Sequence, residues 1–231
     1  MGLKMLKQPP EDINWTKRFS LVAIICAVII AAVNLPYIIW QKRLTEDDPE
    51  YYRVMITLIH NLDFFDASLI VSALFCGLVT GFILTYAIVV MPGLGKLTDK
   101  NFLRAFQVTD EIIQNNQPLF MLIWIGSIIS VITTTFTSIV YVGFPDASLT
   151  LLVCFIYLVG AQGVTIIIHI PLNNHVQKLK VHKLDDQAAN QERSMFEARW
   201  NKFNYIRSSI GFFVCLAFIV ILAQRWKRFL P

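Results

Sequence analysis

Five apolar runs alternate with polar or Pro/Gly-containing breaks along the chain, at about residues 19–40, 66–91, 118–142, 149–170 and 208–223. A hydrocarbon core about 30 Å thick needs about 20 apolar residues per helix, and within it every backbone N–H and C=O must be bonded inside its own segment. The pattern therefore predicts an all-α integral membrane helical bundle of five transmembrane helices. Lys17, Arg18, Lys42 and Arg43 flank the first run, and Pro36 falls in its last turn. We read residues 1–66 as an N-terminal span plus an acidic loop carrying Glu46, Asp47, Asp48 and Glu50, with a short helix over Tyr51 to His60. Residues 67–231 form a four-helix core.

Within the core, Pro92-Gly93 is expected to stop the second span, Pro118 to open the third and Pro171 to close the fourth, because proline cannot donate to an intrahelical bond and crowds the preceding turn. The Gly143-Phe144-Pro145-Asp146 turn is so short that the third and fourth spans must be antiparallel neighbours. Gly77 and Gly81 have the small-xxx-small spacing that lets helices approach closely, and they mark a candidate oligomer contact. From Thr98, a plausible N-cap, the positions Phe102, Phe106, Thr109 and Ile113 recur with helical period, which predicts an amphipathic helix on the membrane surface. A second polar stretch leads into the last span. It sets Arg193, Glu197, Trp200, Asn204, Arg207 and Gly211 on one helical face, so a single stripe carries polar groups from water into the membrane.

Composition narrows the class. Of 231 residues, 55% are hydrophobic and 16% charged, and the mean hydropathy is +0.56, far from soluble domains. No polar stretch is long enough for a separate soluble catalytic domain. The net charge of +4 comes from basic residues flanking apolar runs, not from a patch, so nucleic acid is not an expected partner; membrane lipids are. Cys26, Cys76, Cys154 and Cys215 all sit in apolar runs and read as small buried hydrophobes. The first 18 residues are too long and too charged for a cleavable signal, so the first run is expected to stay as an anchor. With five spans, the N-terminus and the second and fourth loops hold 14 Lys and Arg (4, 3 and 7), against 6 (3, 0 and 3) on the other side. That asymmetry places the N-terminus in the cytosol.

Candidate chemistry is sparse. His60, His169, His175 and His182 offer no metal-ligand spacing, which leaves only a haem or metal held by His169 and a distant partner. There is no nucleophile elbow, and Pro92-Gly93-Leu94-Gly95-Lys96 lacks the spacing of a phosphate loop. No charge lies mid-span, which argues against proton-coupled pumps and voltage sensors.

The order Gly77…Gly81…Pro92, Phe106-Gln107, Pro118, Pro171-Leu172-Asn173-Asn174 and Trp200-Asn201-x-x-Asn204-x-x-Arg207 resembles the anthrone oxygenase family over about residues 67–223. The resemblance implies a four-helix membrane core and, for characterised members, oxidation of an anthrone to an anthraquinone by dioxygen with no metal, flavin or other cofactor. Such chemistry needs a flat aromatic ligand, a base and a stabilised oxyanion. On this reading Arg207 and Asn204 face the oxyanion, His169 (or His175) is the base, Asn173, Asn174 and Arg193 help bind the ligand, and Trp200 stacks on it. The competing reading is a non-enzymatic scaffold or binder of a small lipophilic ligand, in which the same groups staple helix ends together; a transporter is a third. A ligand-sized cavity among these groups separates enzyme or binder from staple. Arg207 is expected to be buried and bonded to Asn173, Asn174 or carbonyls at the end of the fourth span. For orientation, a cysteine introduced at Asp185 should react with an impermeant maleimide only from the cytosolic side; reaction from the opposite side reverses the topology.

Overall fold

The structure, a computed structural model, describes residues 62–226. The expected first span over about residues 19–40 and the short helix over Tyr51 to His60 lie outside the described residues. Those described are helical almost throughout and contain no strand. Four helices are long and apolar enough to cross a membrane: α1 (Phe64–Leu94), α3 (Pro118–Tyr141), α4 (Ser148–Lys178) and α5 (Asp186–Trp226). The amphipathic α2 (Asp99–Gln114) joins α1 to α3. The four spans run alternately up and down, and α1 packs chiefly on α3 and α5. Outward positions such as Leu74, Leu122, Ile129, Phe136, Ile167 and Phe213 are exposed and apolar, as a surface facing lipid requires.

Both internal prolines behave differently from the expectation. Pro92 does not stop α1, nor Pro171 α4; the helices continue to Leu94 and Lys178. In each case a π-helical turn precedes the proline by two residues, Tyr86–Val90 before Pro92 and Thr165–His169 before Pro171. The N–H of Met91 reaches back to Tyr86 O, and that of Ile170 to Thr165 O, five residues away. This wider winding makes room for the proline ring without breaking the rod. It also leaves the carbonyl of Ala87 without the N–H that Pro92 would have donated, and the Tyr205 hydroxyl donates to it at 3.3 Å.

Inside the bundle, hydroxyls join helices. Ser72 and Thr134 are bonded at 2.9 Å, as are Ser68 and Thr137, linking α1 to α3. Trp124 Nε1 donates to Gln162 Oε1 at 2.8 Å and ties α3 to α4. The apolar core between these contacts is built from Leu69, Val131, Tyr157, Val214 and Phe218. Within the bundle the close approaches fall at Gly126, where a Cβ would meet the Phe75 ring at 2.8 Å, and at Gly211, where it would collide with the Thr80 side chain, while nothing lies within 4 Å of a Cβ placed at Gly77 or Gly81. Gly143 adopts φ +76° to end α3, a conformation that glycine takes at no steric cost.

Two expectations about α2 are also revised, while the single face expected along the last helix is found. The one face expected from Arg193 to Gly211 belongs to a single helix, the 41-residue α5, whose second half is the last span; at 1.5 Å per residue it is about 61 Å long, roughly twice the bilayer core. The apolar face of α2 is covered by protein, not by lipid: Phe102, Leu103 and Phe106 are buried against Val176, Phe196 and Trp200. Thr98 is the N-cap residue of α2, but its side chain makes no capping bond.

Arg225 is held by two carboxylates. Its Nη2 donates to Asp63 Oδ2 at 2.7 Å, its Nε to the buried Asp66, and its guanidinium lies 4.8 Å over the Phe65 ring. Asp63 and Asp66 in turn form a capping box at the start of α1. Removing one member of such a pair strands a buried charge at a cost of about 3 kcal/mol. Arg225→Gln should therefore lower thermal stability in detergent clearly, while combining it with Asp66→Asn should recover most of the loss; an additive double mutant would show the pair to be unimportant.

Candidate functional site

Where the bundle meets its cap of α2, the end of α4 and the first half of α5, five helices enclose a cavity of about 250 Å³. Its walls are mostly apolar and aromatic, from Phe82, Phe106, Ile123 and Trp124 among others, and its polar lining residues include Tyr86, Asp110, Thr165, His169, Asn173 and Arg207, along with Gln114 and Asn116. The two π-helical turns supply three of them, since Tyr86 opens one and Thr165 and His169 bound the other.

Arg207 is 7% exposed. Its Nε donates to Asn204 Oδ1 at 2.9 Å and its Nη1 to Thr165 Oγ1 at 3.0 Å. Thr165 spends its own proton on Ala161 O at 2.9 Å, which leaves its oxygen free to accept. Asn204 is held from the other side, donating to Ile83 O at 3.0 Å. Nη2 makes no hydrogen bond to the described residues, and none of their carboxylates lies within ion-pair distance. The expected bonds from Arg207 to Asn173, Asn174 or span-four carbonyls are absent. The π-helical turn brings the Thr165 hydroxyl into reach instead, and Asn204, one helical turn earlier on the same face, fills the second position.

The expected convergence with Asn173 runs through Trp200. Its Nε1 donates to Asn173 Oδ1 at 3.0 Å, and its ring lies 5.7 Å from the Arg207 guanidinium and 5.0 Å from the His169 ring, edge to face. Trp200 is also flanked by Tyr86 at 5.8 Å and Phe106 at 6.0 Å. His169 is 2% exposed, and neither ring nitrogen has a hydrogen-bond partner among the described residues. Buried polar atoms are nearly always satisfied, so an orphaned imidazole at a cavity wall needs an explanation.

Arg207, His169, Asn173 and Trp200 thus line one cavity with Asn204 directly behind. The other sequence candidates do not join them. Asn174, 100° further round the helix that continues past Pro171, points to the surface and accepts from Gln114 at 3.1 Å. Arg193 lies three to four turns before Arg207 and holds the end of α1, donating to Gly95 O, Leu97 O, Asp99 and Glu197 at 2.7 to 3.0 Å. His175 pairs with Glu192 at 2.6 Å, outside the cavity. No group of three or more His, Cys, Asp and Glu able to hold a metal occurs among the described residues.

Sequence reasoning missed Asp110, Tyr86 and Thr165. Asp110 is 2% exposed. It accepts from Asn173 Nδ2 at 2.8 Å, Gln177 Nε2 at 2.9 Å and Gln114 Nε2 at 3.1 Å. The available signal was an acidic residue one turn after Phe106, on the apolar side of an amphipathic helix.

Fold and site together describe an integral membrane helical bundle with a polar-lined cavity at one end. The anthrone oxygenase family matches residues 117–220, which span α3, α4 and most of α5. That segment carries Thr165, His169, Asn173, Trp200 and Arg207, whereas Tyr86 and Asp110 precede it. No curated protein and no solved structure matches the chain.

The two neighbouring asparagines give a test. Asn173→Ala removes the partner of Trp200 Nε1 and a donor to Asp110, both buried, and should cost about 1–3 kcal/mol. Asn174→Ala, at the surface, should change stability by less than about 0.5 kcal/mol. Equal melting temperatures for the two variants would contradict the arrangement.

Proposed function

We propose that the protein is a cofactor-independent oxygenase acting on a lipophilic anthrone-type compound, with the cavity at the membrane boundary as its active site. The observation that carries the reading is the buried Arg207 guanidinium, which among the described residues has no carboxylate partner and a free Nη2, in an apolar cavity beside His169, whose ring nitrogens have no partner among them either. A helix-end staple would leave its polar groups satisfied by one another, with no space between them. The family match over residues 117–220 supports the same reaction class.

In this reading the ligand lies against Trp200, Tyr86 and Phe106, and its carbonyl oxygen faces Arg207. His169 takes one proton from the methylene carbon opposite the carbonyl. The electron pair left behind delocalises into an enolate, whose oxyanion the guanidinium stabilises; in a low-dielectric site that stabilisation exceeds what water provides. Dioxygen is reduced by the enolate and bonds to the same carbon, and the proton held on His169 passes to the distal oxygen to give a hydroperoxide. Loss of the second hydrogen of that carbon with cleavage of the O–O bond releases water and leaves the second carbonyl. The balance is one anthrone and one dioxygen to one anthraquinone and one water. Asn204, behind the cavity wall, and Thr165 position the guanidinium.

Purified protein supplied with a hydroxylated anthrone should form the quinone, seen by its visible absorbance, while consuming one dioxygen per turnover above the spontaneous rate. Arg207→Lys keeps the charge but loses the planar fork, and should lower kcat by about 10²–10³-fold with the melting temperature preserved. His169→Gln should lower it by about 10²-fold or more. No protein-dependent quinone, or undiminished turnover in both variants, would sink the proposal.

A further inference from the structure

Opposite chemistry stands in the same cavity as Arg207. Asp110 is buried, lines that cavity, and has no Lys, Arg or His within ion-pair distance among the described residues. Three side-chain amides hold it, none of them charged: Oδ2 accepts from Gln177 and Gln114, and Oδ1 accepts from Asn173 alone. A carboxylate oxygen accepts about two hydrogen bonds, so Oδ2 is filled and Oδ1 keeps one position free. Arg207 keeps its Nη2 donors free. The cavity therefore offers one ligand two unlike polar contacts, a fixed donor at the guanidinium and a fixed acceptor at Asp110, with the Tyr86, Phe106 and Trp200 rings around them.

We infer that Asp110 is a specificity-determining residue that selects aromatic ketones bearing a hydroxyl group remote from the carbonyl, the hydroxyl donating to Asp110 Oδ1 while the carbonyl oxygen accepts from Arg207. This rests on the proposed function only in taking the cavity as the ligand site. A ligand without the hydroxyl strands a desolvated carboxylate lone pair, and sites built around a ligand donor discriminate strongly against analogues lacking it. An ionised phenol is repelled by Asp110, so the hydroxyl binds in its neutral form. Asn173 couples recognition to the aromatic wall, because it donates to Asp110 and accepts from Trp200.

Binding of redox-inert probes tests this apart from turnover. The full-length protein in detergent is titrated, following tryptophan quenching, with anthraquinone, with an anthraquinone bearing one hydroxyl remote from both carbonyls, and with its methyl ether. The hydroxylated quinone should bind at least about tenfold more tightly than the other two. Asp110→Asn, which presents an amide to three amide donors, should bring the three within about twofold of one another; if that variant fails to fold, the methyl ether on the wild-type protein still decides. Equal binding of the hydroxyl compound and its ether, unchanged selectivity in a folded Asp110→Asn protein, or no binding of any quinone would overturn the inference. Absence of anthrone oxidation with the selectivity intact would count against the proposed reaction and leave the role of Asp110 standing.

Discussion

A guanidinium carries five N–H donors and no acceptor, so once Arg207 enters the low-dielectric end of the bundle its donors must be met by oxygen. Much of the surrounding structure follows from that demand. Asn204 presents an oxygen from the same helix, one turn earlier, and is itself anchored to a carbonyl of α1. Thr165 presents a second because its own proton is occupied within α4. The face of Trp200 lies near the cation, and what the protein leaves unmet points into a cavity. Three of the four spans, α1, α4 and α5, are therefore tied through one side chain.

Proline is what aims the groups around it. A straight α-helix would bring different side chains of α1 and α4 to this level. The π-helical turns before Pro92 and Pro171 add a residue to the winding, rotating Tyr86 on one helix, and Thr165 and His169 on the other, to the cavity wall. The widened turn exposes carbonyls that a membrane cannot satisfy, and α5 answers one with the Tyr205 hydroxyl.

The parts of this arrangement that periodicity encodes were legible in the sequence. Apolar runs located the four described spans, and the steps of four and three from Arg193 to Gly211 placed Trp200, Asn204 and Arg207 on a face that is indeed buried. Pro92 and Pro171 misled because a sequence shows the missing donor but not the neighbouring helix that compensates for it. The same misreading put Asn173 and Asn174 together in a loop, whereas on a continuing helix they diverge and only Asn173 reaches Trp200. The tight contacts inside the bundle, at Gly126 and Gly211 where Phe75 and Thr80 stand opposite, carry no spacing signal of their own. Asp110 escaped notice because an acidic residue on an amphipathic helix ordinarily marks its wet side, and only the fold supplies the three amides that keep it dry.

The length of α5 has a mechanical meaning. Arg193 near its beginning grips the C-terminal end of α1, and Arg225 near its finish grips the N-terminal end. Two antiparallel rods fastened at both extremities can neither slide past one another nor roll. Arg207 sits between the fastenings, about 21 Å from one and 27 Å from the other along the helix axis. The α1–α5 wall of the cavity is thereby braced at both ends, and Arg193 extends the brace to the first residue of α2 through Asp99.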